Sequence, residues 1–192
     1  KKEKIERVAL VLGGTGGIGS STCLELSKLG FKVVIHYNKN REMAEKINNN
    51  ISLMNFQSKI LQADITSDNK IEEMVAKVIR WFGRIDVIVN CAYSNISYKK
   101  FDILEWEDYE KEWNINIKSF FKIIKSSVPH MQKQKYGKII GITTQATEQL
   151  PPQFSHYITA KASLEGFLRS LAVELAPLGI LINLVSPGMT DT

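Results

Sequence analysis

Cysteine is scarce in this chain: only Cys23 and Cys91 occur among 192 residues. Both sit in apolar segments without CxxC or metal-ligand spacing, so neither a disulfide framework nor a metal site is expected, and they read as small core residues of a reducing compartment. Long apolar runs are also missing. No stretch approaches the roughly 18 residues of a membrane span, and the charged opening KKEKIER leads into a strand instead of a signal-peptide core. The expectation is a cytoplasmic protein with no membrane partner. Charge of one sign never accumulates: 25 basic and 20 acidic residues leave a net +5, but they are interspersed. A mildly basic solvated surface is expected, with no nucleic-acid partner. With 44% hydrophobic residues and neither internal repeat nor low-complexity linker, 1–192 reads as one domain around one sizeable core.

What the chain does have is a rhythm. Runs rich in Val, Ile and Leu recur at 8–12, 32–37, 59–63, 87–91, 138–143 and 181–186, apolar on consecutive positions, as in strands buried on both faces. Segments with helical spacing separate them, at 18–29, 41–54, 71–82, 106–131 and 157–175. Strand alternating with helix predicts an α/β fold, a doubly wound parallel sheet of six strands with helices on both faces, because parallel neighbours need a crossover connection.

Between the first strand and the first helix lies GGTGGIG, residues 13–19. It contains GxGxxG as Gly14, Gly16 and Gly19, and GxxxGxG as Gly13, Gly17 and Gly19. Glycine lets the backbone approach a ligand, and a helix N-terminus attracts an anion, so a pyrophosphate suits this turn; a merely structural tight turn is the other reading. No Lys-Ser/Thr pair follows, which disfavours a nucleotide triphosphatase loop. At the end of the second strand, where NAD-binding folds carry an acid, this chain has Tyr37, then Asn38, Lys39 and Arg41. An acid repels a 2′-phosphate and a cation holds one, so the expected cofactor is NADP(H) in preference to NAD.

Tyr157 has a lysine, Lys161, one helical turn on, as expected either of stacked helix neighbours or of a proton-transfer pair. With the glycine turn, Asp64-Ile65, VNCA at 89–92, NIN at 114–116 and SPGMTDT at 186–192, the pair makes the chain resemble the short-chain dehydrogenase/reductase family along essentially its whole length. The resemblance implies oxidoreductase chemistry on a carbonyl or alcohol. Tyr157 corresponds to the general acid, and Lys161 to the lysine that lowers the tyrosine pKa and bonds the nicotinamide ribose. Thr144 stands where the family has a substrate-orienting serine, and Asn116, with Asn114 as a nearby rival, matches the asparagine of a proton relay beside a helix kink. Cofactor contacts are implied for Gly13, Thr15, Gly16, Gly17, Ile18, Gly19, Asn38, Lys39, Asp64, Ile65, Asn90, Ala92, Tyr157, Lys161, Pro187, Gly188 and Thr192.

Three departures stand out. Leu12 replaces a threonine whose hydroxyl ties the glycine turn to the turn after strand four, Tyr93 replaces a glycine beside the nicotinamide, and Thr144 adds a methyl to the serine position. They leave room for a rival reading, a nucleotide-binding regulator with weakened turnover. Among subfamilies the chain most resembles the 3-oxoacyl carrier-protein reductases of fatty acid biosynthesis; a basic residue is present at Lys135, but Leu178 stands where they carry a second. The substrate is then a small-molecule or carrier-bound carbonyl. Dimers or tetramers through the two long helices are expected by analogy, homotetramers among them. Relatives of this compact type run on for several dozen residues, so a C-terminal substrate loop and a last strand are expected to be missing here.

Overall fold

The apolar runs pair side by side into one sheet in the computed structural model, which describes residues 6–190. In chain order the elements are β1 (Val8–Leu12), α1 (Gly17–Lys28), β2 (Lys32–Tyr37), α2 (Arg41–Leu53), β3 (Ser58–Gln62), α3 (Asp68–Phe82), β4 (Val87–Asn90), α4 (Trp106–Trp113), α5 (Ser119–Gln134), β5 (Gly137–Ile142), α6 (Ala146–Gln149), α7 (Ser155–Leu175) and β6 (Ile180–Val185). The strands lie in the order β3-β2-β1-β4-β5-β6, and every pairing is parallel. The expected doubly wound sheet is therefore present.

Alternate side chains of β1 feed two cores. Val8, Leu10 and Leu12 pack with Met74 of α3, Phe120 of α5 and Leu168 of α7. Ala9 and Val11 pack on the other face with Cys23 of α1 and with Ala44 and Ile47 of α2. Each large side chain so buried contributes roughly 1.5–3 kcal/mol. Burial on both faces holds for β1, β2 and β4, but not throughout the sheet. In β5 and β6 the exposure alternates, and Leu181 and Val185 of β6 are about half exposed, because α1 and α2 cover only the part of that face nearer β1.

The spacing predicts one helix over 106–131, whereas the chain forms α4 and α5 joined by a π-helical turn, Asn114–Lys118. The side-chain amide of Asn116 donates to the backbone carbonyl of Glu112 at 2.9 Å, occupying the acceptor that its own backbone N–H would use in an α-helix. A side chain that competes with the i→i−4 ladder favours such a bulge. Apolar periodicity does not register this competition.

The strand order reverses at β1, with β2 on one side and β4 on the other. Loops leaving the carboxyl ends of β1 and β4 diverge there and open a crevice, the usual place for a ligand in such sheets.

Candidate active site

The glycine turn forms one wall of the crevice. Gly13 has φ +64°, and a Cβ there would stand 2.7 Å from the backbone of Ala92; a Cβ at Gly19 would stand 2.1 Å from the Gly13 carbonyl oxygen. The first glycine permits the turn and the second lets α1 start against it. The turn is tied down by a residue that sequence reasoning missed. Gly13 N–H donates to Nδ1 of His36 at 3.1 Å, while Nε2 of the same ring lies 3.0 Å from the Ala63 carbonyl oxygen. A backbone N–H can only donate, so Nδ1 is the acceptor and the ring proton sits on Nε2. Burial drives the His36 pKa down to about 4, against smaller upward pulls from the Ala63 carbonyl and Asp64. Leu12 offers no side-chain hydroxyl, but its backbone carbonyl accepts from Cys91 N–H, and within the strand-four turn Ala92 N–H donates to Oδ1 of Asn90.

Across the crevice, Thr143 and Thr144 directly follow β5, and the first turns of α7 carry Tyr157 and Lys161. A cavity of about 210 Å³ is lined by Gly16, Gly17, Ile18 and Gly19 on one side and by Thr144, Tyr157 and Lys161 on the other, with Ala92, Pro187 and Gly188 closing it. Lys161 is buried, and its Nζ donates to the Ile142 carbonyl at 2.9 Å. Burial lowers its pKa to about 8, with Glu112 and then Cys91 pulling upward. The ammonium lies 5.9 Å from the centre of the Tyr157 ring. The resemblance implied a phenol made more acidic by this lysine, but here the Tyr157 pKa is raised: burial dominates, Thr144 pulls it down and Glu112 pushes it up.

Behind the cavity lies a buried polar cluster. Asn116 does not line the cavity; its Nδ2 donates to the backbone carbonyl of Glu112 and, at 3.2 Å, to Glu112 Oε2. Ser94 donates its hydroxyl to Glu112 Oε1. Glu112 and Asn116 are each 1% exposed, and Asn116 Oδ1 is buried without a partner. Neither Ser94 nor Glu112 was singled out in the sequence. A signal existed for Glu112, since it lies four residues before Asn116 on the phase that also buries Phe120 and Ile123.

A second cavity, about 510 Å³, adjoins the first through Gly16, Ala92 and Tyr93 and is lined by Gly13, Thr15, Asn38, Lys39, Asp64 and Ile65. Tyr37 is buried in the core and offers no group to this cavity. Arg41 is engaged by Glu45 at 2.7 Å, whereas Lys39 is exposed and makes no ion pair among the described residues. Asp64 is held below the ordinary carboxylate range by the Thr66 hydroxyl and N–H. The structure thus gathers every expected cofactor contact around two joined cavities except Asn90, which is buried and turned to the Ala92 N–H, and Thr192, which lies outside the described residues.

These walls fit a nicotinamide dinucleotide. Glycines at 13 and 19 leave no side chain where the backbone must come close, the first turn of α1 carries no acid to repel a pyrophosphate, and Lys39 stands at the far end. Fold and crevice together define a dinucleotide-binding α/β protein. The model of the short chain dehydrogenase family matches residues 7–192, and the chain belongs to that family.

Two relatives are named 3-oxoacyl acyl-carrier-protein reductases. The one from Staphylococcus epidermidis is 32% identical over 188 residues, covering 96% of this chain and 75% of the relative. The one from Staphylococcus aureus is 32% identical over 197 residues, covering 98% and 78%. Among solved structures, a metagenomic short-chain oxidoreductase in complex with NADP superposes with a TM-score of 0.90 at 25% identity, covering 96% of this chain and 83% of that one. An NAD+-bound xylitol dehydrogenase superposes with a TM-score of 0.91 at 28% identity, covering 99% and 73%. The oxidoreductase family and its doubly wound fold follow from these matches. No described helix is long and apolar enough to cross a membrane.

Proposed function

We propose that the protein is an NADP(H)-dependent carbonyl reductase acting on a 3-oxoacyl thioester or a similar small carbonyl compound. The observation that carries this reading is the convergence of Tyr157, Lys161 and Thr144 on one cavity whose opposite wall is the glycine turn. Two relatives named as 3-oxoacyl reductases support the substrate class, and a neighbour solved with NADP supports the cofactor.

When bound, the cofactor supplies the hydride that reduces the carbonyl carbon. Tyr157 donates its phenolic proton to the carbonyl oxygen, giving the alcohol and a phenolate that is reprotonated from solvent. A phenol whose pKa is raised by burial holds its proton at neutral pH and delivers it to an oxygen that becomes more basic as hydride arrives. The Thr144 hydroxyl, which already accepts from Ala146 N–H at 3.2 Å, keeps its own proton to donate to the substrate oxygen. Lys161 holds a positive charge beside the phenol and stabilises the phenolate that forms. Lys39 reads the 2′-phosphate, and Asp64 and Ile65 hold the adenine.

A second reading has one observation in its favour. Tyr93 is exposed and lines both cavities, with its ring 3.3 Å from where a Cβ of Gly16 would be, so it narrows the passage between them. A regulator that binds the nucleotide without turnover fits such a constriction. Incubation with NADPH and a panel of 3-oxoacyl thioesters, ketones and aldehydes separates the two: loss of the dihydronicotinamide absorbance marks the reductase, and tight binding without consumption marks the regulator.

The same proposal includes a cytoplasmic homodimer or homotetramer. On α5 and α7, Phe121, Val128, Pro129 and Leu171 line an apolar groove suited to a second copy. Light scattering at the monomer mass across micromolar concentrations would remove that part.

A further inference from the structure

We propose that His36 is a positioning residue for the adenosine diphosphate half of the cofactor: its imidazole ties the glycine turn to the segment that carries Asp64 and Ile65, and so sets the affinity of the outer cavity. The inference rests on the NADP(H) binding proposed above.

β1 and β3 are both neighbours of β2 and are not paired with each other. No ladder hydrogen bond between them therefore fixes the turn after β1 relative to the segment after β3. The His36 ring spans that gap. It is 2% exposed, on a strand whose other buried residues are Val33, Val34, Ile35 and Tyr37. Burying an imidazole there is costly unless each nitrogen finds a partner. Nδ1 accepts the Gly13 N–H at 3.1 Å, and Nε2 donates to the Ala63 carbonyl at 3.0 Å. The backbone carbonyl of His36 also accepts the Gly14 N–H at 2.8 Å. Two consecutive N–H groups of the turn thus end on one residue, and the same ring reaches the residue before Asp64.

Both anchored segments wall the outer cavity, Gly13 and Thr15 from one, Asp64 and Ile65 from the other, and His36 borders it as well. A nucleotide lying across that cavity meets walls already at their bound spacing, and affinity is gained when ordering is not left to the ligand. Only one state of the ring serves. With a proton on Nδ1, the ring would point an N–H at the Gly13 N–H, and the turn would lose its acceptor. His36 does not line the inner cavity that holds Tyr157 and Lys161, so its loss is felt in binding and not in the chemical step.

Tautomer and affinity together test this. His36 is one of three histidines, so the imidazoles are labelled with 15N and its signal is assigned as the one lost in His36→Asn. The expected ring at pH 7.5 is neutral with its proton on Nε2, and a proton on Nδ1 overturns the proposal in the wild-type protein itself. Binding is then read by calorimetry with NADPH and with 2′-phospho-ADP-ribose, which lacks the nicotinamide. His36→Leu removes both ring bonds. The Kd values of the two ligands should rise by a similar factor, about tenfold or more, with kcat at saturating NADPH within about twofold. His36→Asn keeps an acceptor for Gly13 and should recover part of the lost affinity, whereas a general loosening of the fold would lower kcat and would not separate Asn from Leu. An unchanged Kd in folded His36→Leu overturns the proposal, as does a loss confined to NADPH. If that variant does not fold by circular dichroism, His36→Asn and His36→Gln carry the test, and wild-type affinity in both overturns it. Tighter binding of NADH than NADPH refutes the NADP preference, and the comparison is then read with NADH and ADP-ribose. Failure of the wild-type protein to consume NADPH with any carbonyl refutes the reductase reading alone, since binding needs no turnover; wild-type protein that binds neither nucleotide removes both.

Discussion

His36 Nδ1 accepts the backbone N–H of Gly13 across 3.1 Å, so a side chain at the end of β2 holds the turn that follows β1. Protonating the ring removes that acceptor. The His36 pKa is lowered from 6.5 to about 4, so the unfolded chain binds this proton before the folded one does. The stabilising contribution is complete above pH 6.5 and is lost as pH falls towards 4. At pH 5 the loss amounts to about 2 kcal/mol. Urea unfolding at pH 7.5 and 5.0 should therefore show a wild-type stability drop larger by about that amount than in His36→Gln, which cannot protonate. Equal drops in the two proteins would exclude His36 as the acid-labile tie.

A second expectation follows from Lys161. With its pKa lowered to about 8, the side chain carries its charge below that pH and loses it above. The kcat/KM of carbonyl reduction should fall as pH rises through about 8, well below the range of an ordinary lysine. A limb that appears only near pH 10 would mean that another group governs the proton transfer.

Tyr157→Phe removes the proposed donor and keeps the ring. Turnover should drop by roughly 10²- to 10⁴-fold, while NADPH affinity measured by fluorescence changes little. Retained turnover would take the tyrosine out of the mechanism.

Lys39→Glu places a negative charge at the far end of the outer cavity, where Arg41 is already occupied by Glu45. The ratio of kcat/KM for NADPH over NADH should fall by about tenfold or more. A constant ratio would move the reading of the 2′-phosphate elsewhere.

Gly13→Ala combines a left-handed backbone at φ +64° with a Cβ 2.7 Å from Ala92. Destabilisation by about 2 kcal/mol or more, read from thermal unfolding, should accompany loss of NADPH binding. A variant of wild-type stability would show that the turn can relax around the added carbon.

The strands and most helices were legible in the letters, because burial writes consecutive apolar residues for β1, β2 and β4 and helical spacing for α3. The glycine turn, Tyr157 and Lys161 were legible for a related reason: backbone approach and a one-turn spacing are local constraints. The break between α4 and α5 was not legible, since it depends on an asparagine side chain taking the carbonyl of Glu112. Neither was the role of His36, whose partners Gly13 and Ala63 lie 23 and 27 residues away.

The sequence by itself determined the doubly wound sheet, the family and many of the residues that line the two cavities, though not Asn90 or Asn116, since periodicity and short-range spacing act along the chain. Only the tertiary structure decided the electrical state of the site. Burial pushes the Tyr157 phenol up and Lys161 down, and Glu112, 45 residues before Tyr157 in the chain, acts on both. Desolvation and charge act through space, and no local pattern of letters records which polar groups the fold will enclose together.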